Sequence, residues 1–360
     1  SISKVLNMTV DDASVGRVNQ YCKQLLDGWF RCEIDAHKGR VLMAVRSFEC
    51  GDRLFSESPL HLVAEAPEDP GFVRLRRLAK LRGFVHTPLW YWSALCSLTE
   101  ADCQGCEVPL PTTSQEKQEK LLILFHPDVE PEESLAIVRD FWPEADEAKQ
   151  NALAMKIARL LAVWLLNCFE HSEEPVGFST FFLPAFVSHD CRPNCMWHYE
   201  GDNFVMRARQ SIASGEEITV SYLAEESLLE STASRRAQLE GTKNFLCMCV
   251  TCSAHLDPVR GFACVACKTG EILLDVTGEL PVPSQEGACK SCGFLPDVQQ
   301  AKSLSEQEAK VEELVRDWDR KMAHAIPLLD DGLAQRLEAN FTGLFASRHW
   351  LRDRMARHLI

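Results

Sequence analysis

Apolar positions change their spacing several times along this chain. Val15, Val18, Cys22, Leu25 and Leu26 recur at helical intervals, which predicts an amphipathic helix within residues 1–28. Residues 30–65 break that rhythm: short apolar runs are interrupted at Gly39 and at ECGD (49–52), the pattern of strands and turns. FVRLRRLAKLRGF and LWYWSALCSL, within 72–100, return to helix, and 101–118 is polar and loop-like. Helix dominates 119–170, most clearly over 147–169, where Leu153, Ile157, Leu160, Leu161, Trp164 and Leu165 share one face. Residues 178–222 alternate and turn at ASGEE, which again predicts strands. Leu304, Val311, Leu314, Val315 and Trp318 predict a helical stripe in 298–360, with further helices in FTGLFASRHWLRDRMARHLI. Strands, a helical insertion, strands, a cysteine-rich unit and helices, in that order, make an α+β chain rather than an alternating βαβ one.

Composition narrows the function classes. A length of 360 residues exceeds one simple core and predicts two or three domains. A formal charge of −14 disfavours a nucleic-acid binder, which needs a basic footprint. It suits a basic partner such as a lysine-rich peptide; plain solubility is the alternative. The longest greasy stretch, LLAVWLLNCF (160–169), is too short to span a bilayer. SISKVLNMTVDD lacks the layout of a signal peptide, so a cytoplasmic or nuclear setting is expected.

Sixteen cysteines then need a reason. Seven lie in 247–292: Cys247, Cys249 and Cys252 as C-x-C-x2-C, then the C-x2-C pairs Cys264/Cys267 and Cys289/Cys292. Such pairs put two thiolates on one tight turn, as tetrahedral zinc requires. Without a secretory signal a disulfide framework is disfavoured, and inert buried thiols are the remaining alternative. Cys264, Cys267, Cys289 and Cys292 read by spacing as one closed structural zinc site, unless one of the pairs binds nothing. Cys103-x2-Cys106, with Cys96 nearby, has no evident second ligand pair.

Three further stretches carry chemistry in a fixed order: FVSHDCRPNC (186–195), GEEITVSY (215–222) and NFLCMCVTC (244–252). They resemble the SET-domain protein lysine methyltransferases. The first resembles that family's NHSCxPN motif, the second its GEExxxxY segment and the third its post-SET cysteines. HKGRVLMAVRSFECGDRLFSESPL (37–60) resembles the N-terminal half of the domain. The helical insertion, NCF (167–169), RRAQL (235–239) and the final RHWLRDRMARHL resemble the SET-and-MYND branch. The MYND finger expected near 65–110 is missing, as in relatives of apicomplexan parasites.

The resemblance implies an α+β SET-domain β-fold with a pseudoknot, a helical insertion, a cysteine-rich zinc-binding post-SET unit and a C-terminal α-helical, TPR-like region. Its segments would be 1–29 (N-terminal helical), 30–65 and 171–240 (the two SET halves), 66–170 (insertion), 241–296 (post-SET) and 297–360 (C-terminal helical). It implies S-adenosyl-L-methionine as cofactor and a protein or peptide substrate carrying lysine. Two structural zinc ions follow, because the resemblance places Cys191 with Cys247, Cys249 and Cys252 on one ion. Cys195 is left as a buried structural thiol.

The residue roles come from the same comparison. Tyr222 would be the catalytic phenol, against a core tyrosine on a strand. Lys38, Gly39 and Arg40 would form the turn over the cofactor's methionine part. Asn167, at an exposed helix end, would meet the cofactor's polar end; a helix C-cap is its alternative. Ser188 and His189 would line the cofactor pocket, with a purely structural histidine as the alternative. Phe245 would stack near the adenine or wall the lysine channel, or serve as a plain hydrophobic anchor. Three positions depart from the pattern: Ser188 replaces an Asn, Val41 a second turn Gly, and Lys243 a frequent channel Tyr. They keep a second reading open, an inactive SET scaffold that binds proteins. The short helical tail adds a homodimer as an expectation. A DNA-binding zinc protein fits poorly, because the charge has the wrong sign.

Overall fold

A computed structural model describes residues 12–278, 280–322, 341 and 343–356. The chain divides into two compact units. The first runs to His189 and resumes over Pro193–Val220; the second comprises Asp190–Arg192 and the chain from Ser221 onward.

In the first unit, helix α1 (Asp12–Leu25) turns Val18 and Cys22 wholly inward. Strands β1 (Phe30–Asp35) and β2 (Gly39–Ala44) form an antiparallel hairpin with Asp35 opposite Gly39. The Asp35 carboxylate closes its turn by accepting from the His37 and Lys38 amides, which lowers its pKa. Gly39 takes φ 76°, a left-handed value that a side chain would strain. β3 (Arg53–Glu57) and β4 (His61–Ala64) then enter two different three-stranded sheets.

The insertion is helical, as its spacing predicts: α2 (Pro70–Arg82), α3 (Pro88–Cys96), α4 (Gln115–Ile123), α5 (Glu132–Phe141) and α6 (Glu147–Asn167). Asp69, Ser114 and Asp146 cap α2, α4 and α6 through side-chain acceptors. Trp92, Trp142 and Trp164 are buried among these helices. The long helix stops earlier than its hydrophobic run suggests. Cys168 is already extended, and β5 (Cys168–Glu173) pairs with β6 (Val176–Thr180), so NCF straddles a helix–strand junction. The expected loop at 101–118 ends at Ser114 for the same kind of reason, a cap that starts α4.

The remaining strands of this unit are β7 (Ser188–His189), β8 (Cys195–Glu200), β9 (Asn203–Ala208) and β10 (Thr219–Val220). β8 and β9 form a hairpin beside β3. β7 and β10 pair in parallel, Ser188 with Thr219 and His189 with Val220. Two motif segments far apart in sequence therefore lie side by side. Cys195 is buried, and burial pushes its thiol up to about 12, as befits a structural cysteine.

The second unit holds α7 (Thr232–Lys243), the short α8 (Val250–Ser253), four two-residue strands, α9 (Val298–Met322) and α10 (Trp350–Ala356). The strands are β11 (Phe262–Ala263) with β12 (Glu271–Ile272), and β13 (Leu274–Asp275) with β14 (Val282–Pro283). Leu304, Val311, Val315 and Trp318 of α9 pack with Phe262, Ile272, Trp350 and Leu351. Leu314, counted into that stripe from sequence, is half-exposed, because it is turned about 100° from Val315 around the helix. The buried Glu308, His349 and Trp350, with the partly buried Arg260, form a polar group beside this core. Of the tail expected to be further helix, Trp350–Ala356 is helical, 343–349 is turn and bridge instead, and 323–340, 342 and 357–360 lie outside the described residues. Among those described, no helix is long and apolar enough to cross a membrane.

Candidate functional site

In the first unit, β2 runs antiparallel to 216–218, with Ala44 N donating to Glu216 O and Ile218 N to Leu42 O, each at 2.8 Å. The turn at 38–40 therefore heads toward β10, whose other side carries Ser188 and His189. Asn194 welds the motif segments together. It accepts from Thr219 N at 2.9 Å through Oδ1 and donates to Glu217 O at 2.7 Å. Lys38, Gly39, Arg40, Ser188 and His189 are thus gathered around one short pair of strands.

Their side chains are already engaged. Lys38 Nζ pairs with Glu217 at 2.7 Å. The Arg40 guanidinium stacks 4.8 Å over the Phe186 ring and donates to Ile123 O at 2.6 Å; burial lowers its pKa. Asn167 differs from its expected exposed setting. It is buried, and its Nδ2 donates to Phe125 O and to Val163 O, each at 2.8 Å. Both N–H groups are thereby committed, and the carbonyl oxygen is the acceptor left for a ligand. Arg40 and Asn167 thus both hold the connector 123–125. Sequence reasoning missed that segment, because its apolar letters look like the last turn of α4.

In the second unit, Ser221 fixes the backbone around Tyr222: its Oγ accepts from Leu223 N at 3.0 Å and donates to Leu223 O at 2.7 Å. Tyr222 is 40% exposed, so it is not the core tyrosine weighed as its alternative. Phe245 meets its ring edge-on, with centroids 6.2 Å apart.

The cysteines fall into two groups of four, Cys191, Cys247, Cys249 and Cys252, and Cys264, Cys267, Cys289 and Cys292. No disulfide forms among the sixteen cysteines. Zinc–thiolate bonds of about 2.3 Å place tetrahedral sulfurs roughly 3.8 Å apart. The Sγ separations are 3.5 Å for Cys191–Cys252, and 3.7 Å for both Cys264–Cys292 and Cys267–Cys289. Both groups therefore fit zinc. The first is buried throughout, whereas Cys292 of the second is exposed. Cys96, Cys103 and Cys106 join no such group among the described residues.

The RRAQL stretch surrounds the first cluster, a role the sequence did not reveal. Arg235, 1% exposed, directs Nη2 at Cys252 Sγ at 3.7 Å and also donates to Thr232 Oγ1 and Glu230 O. Arg236 donates to Cys247 O at 3.0 Å, and Leu239 packs against the thiols. Four thiolates on one zinc carry a net double negative charge, and a buried guanidinium offsets part of it.

Residues 39–223, just over half the chain, match the SET domain. The chain belongs to the SET-domain family. It is similar to the histone-lysine N-methyltransferase ASHR1 of Arabidopsis thaliana, 24% identical over 77% of this chain and 66% of that protein. It is also similar to the N-lysine methyltransferase SMYD2 of Rattus norvegicus, 27% identical over 61% of this chain and 59% of that protein. The chain thus spans less than two thirds of either relative's length. A solved Rubisco LSMT bound to AdoMet aligns with 65% of this SET-family chain and 57% of its own, at 10% identity and a TM-score of 0.34, too distant to carry an argument.

Proposed function

We propose that this SET-family chain is a protein-lysine N-methyltransferase that uses S-adenosylmethionine and is braced by two structural zinc ions. The observation that supports this most is the parallel pairing of Ser188–His189 with Thr219–Val220, which sets two of the family's motifs edge to edge and leads directly into the exposed Tyr222. The activities for which the two relatives are named, lysine methylation in both, point the same way.

S-adenosylmethionine, when bound, supplies an electrophilic methyl on a sulfonium, and its thioether leaves without needing an acid. The chain's residues have three tasks. Gly39, free of a side chain, lets the backbone at 38–40 approach the donor. Asn167, through its uncommitted carbonyl, and Ser188 and His189 orient it. The Tyr222 oxygen directs the incoming amine and accepts weak C–H···O contacts from the polarised methyl. Orientation of this kind can supply several kcal/mol of the barrier. The lysine must enter neutral, against an ordinary pKa of about 10.4. The rings of Tyr222 and Phe245 and the sulfonium's charge both favour that form.

Segments 30–65 and 171–240 would then be the two halves of the catalytic domain, 66–170 its insertion, 241–296 the zinc-braced wall and 297–360 a partner-binding helical region. The charge of −14 favours substrates whose lysine lies in a basic stretch. The test is methyl transfer from labelled S-adenosylmethionine to histones and a pool of soluble proteins. Label on lysine should fall at least tenfold in Tyr222→Phe and His189→Val proteins that remain folded. A folded protein that transfers nothing and binds no S-adenosylmethionine would leave only a zinc-braced scaffold.

A further inference from the structure

Lys243 stands where the proposed reaction has no use for a lysine of the enzyme's own. It is the last residue of α7 and is half-buried. A lysine at a helix C-terminus normally answers the helix dipole from solvent. This one lays its Nζ over the Tyr222 ring, 5.9 Å from the centroid. Phe245 meets the same ring at 88°.

The surrounding backbone holds this arrangement. Asn244 takes the left-handed conformation, φ 58°, ψ 37°, and its N–H caps Glu240 O. That turn ends α7 and lets Lys243 and Phe245 reach the same ring. Arg236, two turns back on α7, ties the chain beyond Phe245 to the helix through Cys247 O. Ser221 fixes the Tyr222 backbone from the other direction. An ammonium held over an aromatic face is one way proteins recognise lysine and methyl-lysine, and here Tyr222 supplies that face. Here the lysine is supplied by the chain itself.

We infer that Lys243 is a methyl acceptor in cis, so that the chain modifies itself at this side chain, and that unmethylated Lys243 competes with substrate for Tyr222. The inference rests on the methyltransferase reading above. Nζ first gives one proton to water. Its lone pair then bonds the methyl carbon as the carbon–sulfur bond breaks. The pair from that bond stays on sulfur, as a neutral thioether, and the methylated nitrogen carries the positive charge that the sulfonium lost. The tether replaces a bimolecular encounter, so the step proceeds at high effective concentration. Methylation retains the charge, so the product keeps its attraction to the ring.

The experiment incubates the purified chain with labelled S-adenosylmethionine, alone and with the protein pool, and maps methyl groups by peptide mass spectrometry. The expected result is methyl on Lys243 at a rate unchanged by tenfold dilution of the protein, absent in Lys243→Arg. Labelling of the pool should rise at least twofold in Lys243→Met, which removes the resident competitor. A labelled pool with Lys243 unmodified overturns this inference and leaves the methyltransferase reading standing. No label anywhere overturns both. A second readout needs no cofactor. Reductive methylation with isotope-labelled formaldehyde should give Lys243 an upfield, ring-shifted NMR signal that returns to the bulk position in Tyr222→Ala. An unshifted signal would remove the contact on which the inference stands.

Discussion

The two cysteine clusters are guarded differently, and chelation should reveal it. Cys292 is exposed, so a chelator can engage the second cluster without disturbing the fold. The first cluster is closed. Its four cysteines are each at most 7% exposed, and Leu223 and Leu239 pack against them at 9% and 0%. A chelator must first open that packing. Exposing two buried leucines costs about 3–6 kcal/mol, at roughly 1.5–3 kcal/mol each. At about 1.4 kcal/mol per factor of ten, the closed cluster should release its ion roughly 10²–10⁴-fold more slowly. The assay mixes zinc-loaded protein with a chromogenic chelator and follows colour with time. Two phases of equal amplitude are expected, one zinc per chain in each. Cys292→Ser should remove the fast phase and Cys191→Ser the slow one. A single phase, or loss of the fast phase in Cys191→Ser, would refute the assignment of closed and open sites.

Three other outcomes follow from the same geometry. Burial pushes the Glu57 carboxyl, which accepts from Tyr21 and from Leu183 N, up from 4.5 to about 7. A raised value means its contribution to stability is full below 4.5 and is lost as pH rises through 7, by roughly 3 kcal/mol. Glu57→Gln should therefore raise the melting temperature at pH about 8 and leave it nearly unchanged near 4.5, and equal shifts at both would contradict the sign. Burial raises the Glu308 carboxyl too, but His349 and Arg260 more than reverse it and hold it at about 2. Glu308→Ala would take the carboxylate away from the partly buried Arg260 and the fully buried His349 and should cost about 3–5 kcal/mol, read from urea unfolding followed by tryptophan fluorescence. A loss under about 1 kcal/mol would show that water replaces the carboxylate. Asn167→Leu removes the carbonyl acceptor left for the ligand and should weaken S-adenosylmethionine binding at least tenfold by calorimetry in protein that remains folded; unchanged affinity would show that the amide is structural only.

What could be read from the letters depended on whether the residue type alone carries geometry. C-x-C-x2-C and the paired C-x2-C do, since short loops between soft ligands leave few arrangements, and both clusters form. Alternation and helical spacing placed most elements for the same reason. Glu57 shows the opposite case. In LFSES it looks like one polar position of an edge strand, and only the fold brings Tyr21 to it from 36 residues away. Arg235 and Arg236 stood in a stretch that already resembled a family branch, yet their work depends on Cys252 and Cys247, partners that no local pattern names. Leu314 was counted into a stripe that it misses by one position around the helix.

The same distinction decides how to weigh the chain's departures from its family's pattern. Val41 looked like the loss of a needed glycine. In the fold it is buried in β2, opposite Glu33, and the left-handed turn falls on Gly39, which is retained. A glycine at 41 would lower strand propensity and empty a core position, so this substitution gives no physical reason for lost activity. Lys243 is different. It adds a cation to the ring of the one tyrosine on which the proposed chemistry depends. A charge there changes what can approach that ring, whichever substrate the protein serves. Of these two departures, Lys243 is therefore the one whose replacement should alter turnover, while restoring glycine at 41 should alter only stability.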